Sequence, residues 1–351
     1  MNRIILIGNG FDLAHNLKTS YKHFINDFWD KQNSKMFSKI FNKEGLDNIP
    51  YEDNFVKVDA PYRVLDYIRK STEQKHKGYN LFLTFSPIPI TIIDANNNDN
   101  TDFICKNDFL KKISEKSIEN WVDIEYEYYQ SLIDCLNNKE DVNKLNEEFK
   151  QIKNALEIYL TEQSKCNIAI SNNIKKIFFS DTDANKDIVC FLNFNYTKTL
   201  DQYTYATKNT RTINIHGELN SSNNPVIFGY GDELDENYKN IESINNNVFH
   251  QNIKSARYSL TNNYGKVLSF LYHSNYEVFI IGHSCGLSDR TLLNNIFEHE
   301  NCKSVKIFYH QIDPLNDNFL ETYINLSRNF NDKQLLRKIV VSKENSIPLE
   351  L

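Results

Sequence analysis

His216 stands immediately before Gly217. An imidazole that titrates near neutral pH, beside a residue with no side chain, has the chemistry of a general base with room for a substrate. A histidine that merely fills a structural position is the alternative. Asn193 and Asn195 carry amides that can orient a ribose hydroxyl or a water, and Ser284 and Asp289 bring a hydroxyl and a carboxylate that can equally cap a helix. Near the start, Gly8-Asn9-Gly10-Phe11-Asp12 follows an apolar run. Glycines at 8 and 10 let a backbone turn sharply and press its N–H groups against a phosphate or ribose. A βα turn that holds no ligand reads the same way. Leu13 stands where the dinucleotide fingerprint has its third small residue, and no acidic ribose ligand follows a clear second strand at the usual distance. Both departures argue against a hydride-transfer site.

Each of these groups follows an apolar run, so the elements that hold them can be traced. Strands are expected at 3–7, 79–85, 187–193, 211–215, 225–228, 277–281 and 304–309. Helices are expected at 197–206, 251–273, 286–299 and 316–330, with another after Thr19-Ser20 whose apolar face is Tyr21, Phe24, Ile25, Phe28 and Trp29. Residues 8–18 read as a roomy connection. From 107 to 179 the chain is charged and helical, with apolar stripes at Ile124, Tyr128 and Leu132, joined by Trp121, and at Leu145, Phe149, Ile152, Leu156 and Leu160. Short apolar strands alternating with helices predict an α/β fold, a Rossmann-like, mainly parallel sheet flanked by helices. Residues 1–103 and 181–351 are assigned to that nucleotide-binding domain, and 104–180 to a helical insertion. In such a sheet ligands bind beyond the carboxyl ends of strands, near the switch in strand order. Gly8–Asp12, Asn193–Thr197, His216-Gly217 and Gly282-His283-Ser284 all fall at such ends.

Composition narrows the function classes. The 351 residues carry a formal net charge of −6, which offers no global attraction to a phosphate backbone or an anionic membrane. The six cysteines are scattered without a CxxC pair, which argues against a zinc ribbon and against a disulfide framework. No apolar run approaches a membrane span or a signal sequence, and a cytoplasmic setting is expected. The acidic stretch Gly231-Asp-Glu-Leu-Asp-Glu236 reads as a solvated face or a lid, since no histidine–carboxylate spacing supports a metal there.

Taken together, ILIGNGFDLAHNLKTSY, the Trp121-x-Asp123-x-Glu125 element, FNYTKTL, INIHGELN followed by VIFGYGDE, and VFIIGHSCGLSD resemble the bacteriophage abortive-infection AbiH family, in order and over nearly the whole chain. That resemblance implies bacterial defence against phage, with a phage-derived trigger or a defence-system partner. The same landmarks are similar, more distantly, to a sirtuin-like pattern that binds NAD and breaks its nicotinamide–ribose bond. Gly8 and Gly10 match the glycine-rich segment after the first strand, Asn195 the asparagine of the TQNID or TTNYD segment, His216 the catalytic histidine and Ser284 the late serine. Thr197 stands where that pattern has its aspartate, and the zinc module of the deacetylases is absent, which makes the defence-type NAD hydrolases the closer analogy.

Under this resemblance the glycine N–H groups hold the pyrophosphate, Asn195 orients the ribose or a water, and His216 is the general base. Asp12 faces the ribose, where a carboxylate favours a developing oxocarbenium. Asn9, Phe11, Asn193, Gly217, Gly282 and Asp289 complete the nucleotide pocket, NAD is substrate or ligand, and no metal is expected. A nucleotide or ADP-ribose sensor without turnover is the alternative. A nuclease or RNA-targeting toxin is a third reading, and it lacks a carboxylate metal cluster and a basic–aromatic stripe. A homo-oligomer is left open.

Overall fold

The computed structural model describes residues 1–42, 45–46, 50–59, 103–119, 123–138, 141–183, 185–204 and 209–349. The strand expected at 79–85 and Trp121 lie outside them. Six strands form one parallel sheet: β1 (Asn2–Ile7), β2 (Val189–Asn193), β3 (Thr210–Asn214), β4 (Tyr276–Ile281), β5 (Cys302–Tyr309) and β6 (Ile347–Pro348). Their order is β6-β5-β4-β1-β2-β3. The chain therefore winds outward from β1 through β2 and β3, then returns to the other side of β1 for the remaining three. This is the doubly wound order of dinucleotide-binding folds, and its switch point lies between β1 and β4.

Helices α1 (Asn9–Ala14), α2 (Tyr21–Ile40), α3 (Asp108–Glu119), α4 (Ile124–Asn138), α5 (Val142–Gln163) and α6 (Asn172–Phe179) precede β2. After it come α7 (Asp201–Thr204), α8 (Glu236–Ser243), α9 (Lys254–Tyr258), α10 (Asn263–Leu271), α11 (Arg290–Phe297), α12 (Phe319–Arg328) and α13 (Lys333–Ile339). Alternate strand residues serve opposite faces of the sheet, as the period of two requires. Ile4, Leu6, Leu192, Val278, Ile280 and Val305 pack on one face with apolar residues of α10 to α13. Ile5, Ile7, Phe191, Phe279 and Ile281 pack on the other with Phe11, Phe178 and Tyr203. Arg3 is buried within β1, its guanidinium 4.0 Å from the centre of the Phe279 ring and hydrogen-bonded to Glu277 and to the carbonyls of Ile177 and Phe178 at the end of α6.

The described residues cluster as two units. Met1–Ser20, Tyr129–Val142 and Leu160–Leu351 form the unit that contains the large sheet, and Tyr21–Tyr128 with Asn143–Tyr159 form the other. In the second unit α2 buries Phe24, Ile25 and Trp29, and the Trp29 indole donates to Ser114 Oγ at 2.9 Å. Phe149 of α5 packs on Tyr128 with ring centres 4.1 Å apart. The strands Tyr51–Glu52, Val56–Val58 and Phe103–Cys105 make a small antiparallel sheet, and Phe41–Asn42 pairs with Gly45–Leu46.

Three local expectations are corrected. Part of the connection at 8–18 is helix α1. Residues 225–228 form no strand: Pro225 has no N–H for a ladder, and the segment instead gives the Ile227 N–H to His216 O at 2.7 Å. The helix expected at 251–273 breaks into α9 and α10, because Thr261 accepts the Asn263 N–H and starts a new helix.

Candidate functional site at the switch point

Backbone joins the carboxyl ends of β1 and β4. Gly8 N–H donates to Ile281 O at 3.1 Å and Gly10 N–H to Gly282 O at 2.8 Å. A Cβ on Gly10 would lie 2.8 Å from Gly282 Cα, and one on Gly282, whose φ is +68°, would lie 2.2 Å from Phe11 N. These glycines are demanded by a second stretch of backbone. The amides expected to hold a pyrophosphate donate to these carbonyls in this structure. Phe11 faces the sheet core and gives its N–H to Gly8 O, while the exposed Asn9 accepts from Thr19 Oγ1 at 2.5 Å.

Helix α1 turns Asp12 inward until it is 1% exposed. Thr197 Oγ1 donates to Asp12 Oδ2 at 2.6 Å and lies 3.2 Å from Thr199 Oγ1. Asn195 gives its side-chain amide to Gly8 O at 3.0 Å and its backbone N–H to Asn193 Oδ1 at 3.1 Å, and Asn193 in turn reaches Asn214. Burial pushes the Asp12 carboxyl up to about 6, against hydrogen bonds from Thr197, Thr199 and Asn195 that act the other way. Asp12 Oδ1 is buried and has no hydrogen-bond partner among the described residues. A carboxyl pushed up to about 6, with one buried oxygen unpartnered, is equipped for proton transfer or for facing a cation.

Asp289 gathers a second cluster. Its Oδ1 accepts from Lys254 Nζ at 2.9 Å and from His216 Nε2 at 3.0 Å, and its Oδ2 lies 3.7 Å from His283 Nε2. A carboxylate can only accept, so the proton of His216 sits on Nε2. The Cys285 N–H donates to His283 Nδ1 at 2.9 Å, which places the His283 proton on Nε2, facing Asp289. Burial would raise the Asp289 carboxyl, yet Lys254 foremost, and then His216 and His283, hold it well below the usual carboxylate range. Burial lowers both imidazoles, assisted at His216 by the Lys254 charge, and takes His283 down to about 4. At neutral pH the cluster is thus an ammonium–carboxylate pair flanked by two neutral imidazoles. Phe194 packs against both rings, with centres 5.1 Å from His216 and 4.1 Å from His283, and Tyr258 lies parallel to His216.

The two clusters are contiguous. A Cβ on Gly8, whose carbonyl binds Asn195, would lie 2.5 Å from His283 Cα. The structure therefore brings Asp12, Asn193, Asn195, Gly8, Gly282, His216 and Asp289 together. It does not gather every expected residue: Ser284 is exposed, and the space over Gly217 holds the Pro225 carbonyl, which a Cβ would meet at 2.1 Å.

Lys254 and His283 were not among the expected site residues. His283 is flagged by its place between Gly282 and Ser284 at a strand end. Lys254 carries no local signal, since it is the first residue of α9 and its side chain is 0% exposed.

The acidic stretch is solvated at Glu233, Leu234 and Glu236 and anchored at its two aspartates. Asp232 is buried against Arg290 at 3.3 Å, and Asp235 caps α8 and accepts from Tyr129 OH at 2.7 Å. Asp123, from the Trp-x-Asp-x-Glu element, accepts the N–H groups of Glu125 and Tyr126 at the start of α4. Among the described residues no group of three or more His, Cys, Asp or Glu is arranged to hold a metal ion, and no helix is long and apolar enough to cross a membrane.

Two comparisons bear on these residues. The family model of bacteriophage abortive infection AbiH matches residues 4–311, a span that contains both clusters. No curated protein matches the chain.

Proposed function

The chain belongs to the bacteriophage abortive infection AbiH family, and we propose that it serves phage defence as a cytoplasmic effector that binds NAD or a related nucleotide at the β1–β4 switch point and hydrolyses it. The observation that carries this reading is the buried His216–Asp289–Lys254–His283 cluster, contiguous through Gly8 with a carboxyl pushed up to about 6. In hydrolysis the nicotinamide–ribose bond breaks with its electron pair leaving on nicotinamide. Water oxygen bonds to the ribose carbon, and a water proton passes to a base.

Neutral His216 is in the form that accepts a proton, and Asp289 stabilises the imidazolium that results. The ionised Asp12 carboxyl opposes the positive charge that develops on the ribose. Because Gly8 and Gly10 spend their N–H groups on carbonyls, the phosphates depend on other donors.

The burial of all four cluster side chains favours a site that opens on a trigger, and it equally supports the alternative of nucleotide sensing without turnover. Purified protein incubated with NAD, with and without extract from phage-infected cells, separates the two. Nicotinamide release by wild type and its loss in His216→Ala support hydrolysis. A rise in melting temperature with NAD but no product supports sensing, and neither response in either condition rejects a nucleotide ligand.

A further inference from the structure

A cavity of about 260 Å³ lies past the carboxyl end of β3, the edge strand of the sheet. Every side chain in its wall is polar, and the charged ones are Glu218 and Lys266. Glu218 Oε1 accepts from the side-chain amides of Asn214 and Asn224, both at 3.0 Å. Those amides are themselves fixed, Asn214 by Asn193 and Asn224 by Asn263. The two amide bonds hold the Glu218 carboxyl below its usual range, so it is ionised at neutral pH. Among the described residues Glu218 Oε2 takes no hydrogen bond, and Lys266, which donates to Asn263 Oδ1 at 3.1 Å, is paired with no carboxylate.

A pre-set carboxylate with one oxygen free of hydrogen bonds and a lysine ammonium whose charge bears on it thus share a small cavity with neutral amides and hydroxyls. Such a wall offers nothing to an aromatic ring or an alkyl chain. It is complementary to a small molecule with hydroxyls at one end and an anion at the other.

We propose that this cavity is a second ligand site, for a phosphorylated sugar, with a sugar hydroxyl donating to Glu218 Oε2 and the phosphate on Lys266 beside the hydroxyls of Thr212 and Thr261. It shares no lining side chain with the Asp289 cluster and does not rest on the nucleotide reading of that cluster. Through Asn193, however, it is one hydrogen bond from the chain of amides that reaches Gly8.

Calorimetric titration of the full chain with ribose 5-phosphate tests the site, with ribose, inorganic phosphate and glutamine as comparisons. Ribose 5-phosphate is expected to bind, and Glu218→Gln and Lys266→Met are each expected to weaken it by about tenfold or more, the effect of one charge-assisted hydrogen bond. Unchanged melting temperatures would show both variants to be folded, and unchanged stabilisation of both by NAD would show the switch-point cluster to be intact. The absence of ribose 5-phosphate binding, or binding that both variants retain, overturns the site. So does inorganic phosphate binding as tightly as the sugar phosphate, which leaves an anion contact only, or glutamine binding in its place. Failure of NAD to bind, with ribose 5-phosphate still binding through Glu218 and Lys266, leaves the second site standing alone.

Discussion

At the scale of single residues, the candidate site is built from groups that cost the fold stability. The Asp12 carboxyl titrates at about 6 when folded against 3.8 for an ordinary aspartate, so folding binds its proton more tightly. The stability this group contributes is full below pH 3.8 and is lost as pH rises through 6, a difference of about 3 kcal/mol. Asp12→Asn keeps an acceptor for Thr197 and removes the buried charge. Urea unfolding at pH 8 is expected to find this variant more stable than wild type by roughly 2–3 kcal/mol, with the gap closing toward pH 4.

His283 runs the other way. Its folded value near 4 lies below the ordinary 6.5, so its contribution is present above pH 6.5 and is lost as pH falls toward 4. Lys254→Met would strip Asp289 of its buried counter-charge and is expected to cost about 3–5 kcal/mol. Adding Asp289→Asn to it should return part of that loss in the same assay, which a purely steric role for Lys254 would not allow. His216 and Asp289 could be picked from sequence because each sits in a short motif after an apolar run. Lys254 could not, because its burial depends on residues 230 and 289 arriving from elsewhere in the chain.

At the scale of elements, alternation of apolar runs made the parallel sheet legible, and β1, β2, β4 and β5 lie within a residue or two of their expected bounds. At 225–228 a strand-like composition crosses over His216 with a backbone hydrogen bond and no ladder, and at 251–273 one apolar period spans two helices. The glycines carry the least information locally. Spacing alone cannot tell a phosphate from another stretch of backbone, because both require the absence of a Cβ.

A pair of substitutions separates these roles. Gly282→Ala would force a Cβ to 2.2 Å from Phe11 N at a φ of +68°, whereas a Cβ on Gly286 meets nothing nearer than Ser284 Oγ at 3.6 Å. Chemical denaturation is expected to show a loss of more than about 3 kcal/mol for Gly282→Ala and a change within about 0.5 kcal/mol for Gly286→Ala. If Gly282→Ala is as stable as wild type, the stitch between β1 and β4 is not what fixes the glycines.

At the scale of the whole molecule, family membership was legible because the motifs recur in order across both sides of the switch point. Activity was less so, because burial, protonation and the closing of loops over a site are tertiary facts. An effector that acts by draining a nucleotide pool protects a population only by sacrificing the infected cell. Bacteria expressing the chain are therefore expected to survive phage at low multiplicity and to collapse at high multiplicity, with NAD falling before lysis. In cells carrying His216→Ala, at matched protein level, NAD should hold and plaques should form as in cells without the gene. Protection that survives His216→Ala with NAD unchanged would assign defence to another part of the molecule.

The bond from Gly10 N–H to Gly282 O also governs how the protein ages. Asn9-Gly10 is the kind of dipeptide that deamidates readily in an unfolded chain, through attack of the glycine nitrogen on the asparagine side chain. Here that nitrogen is held by Gly282 and the side-chain oxygen by Thr19. Deamidation at Asn9 can proceed only while the contact between β1 and β4 is open. Its slow accumulation in stored protein, read by mass spectrometry, therefore counts the openings of the switch point, and a ligand that closes the site should slow that clock.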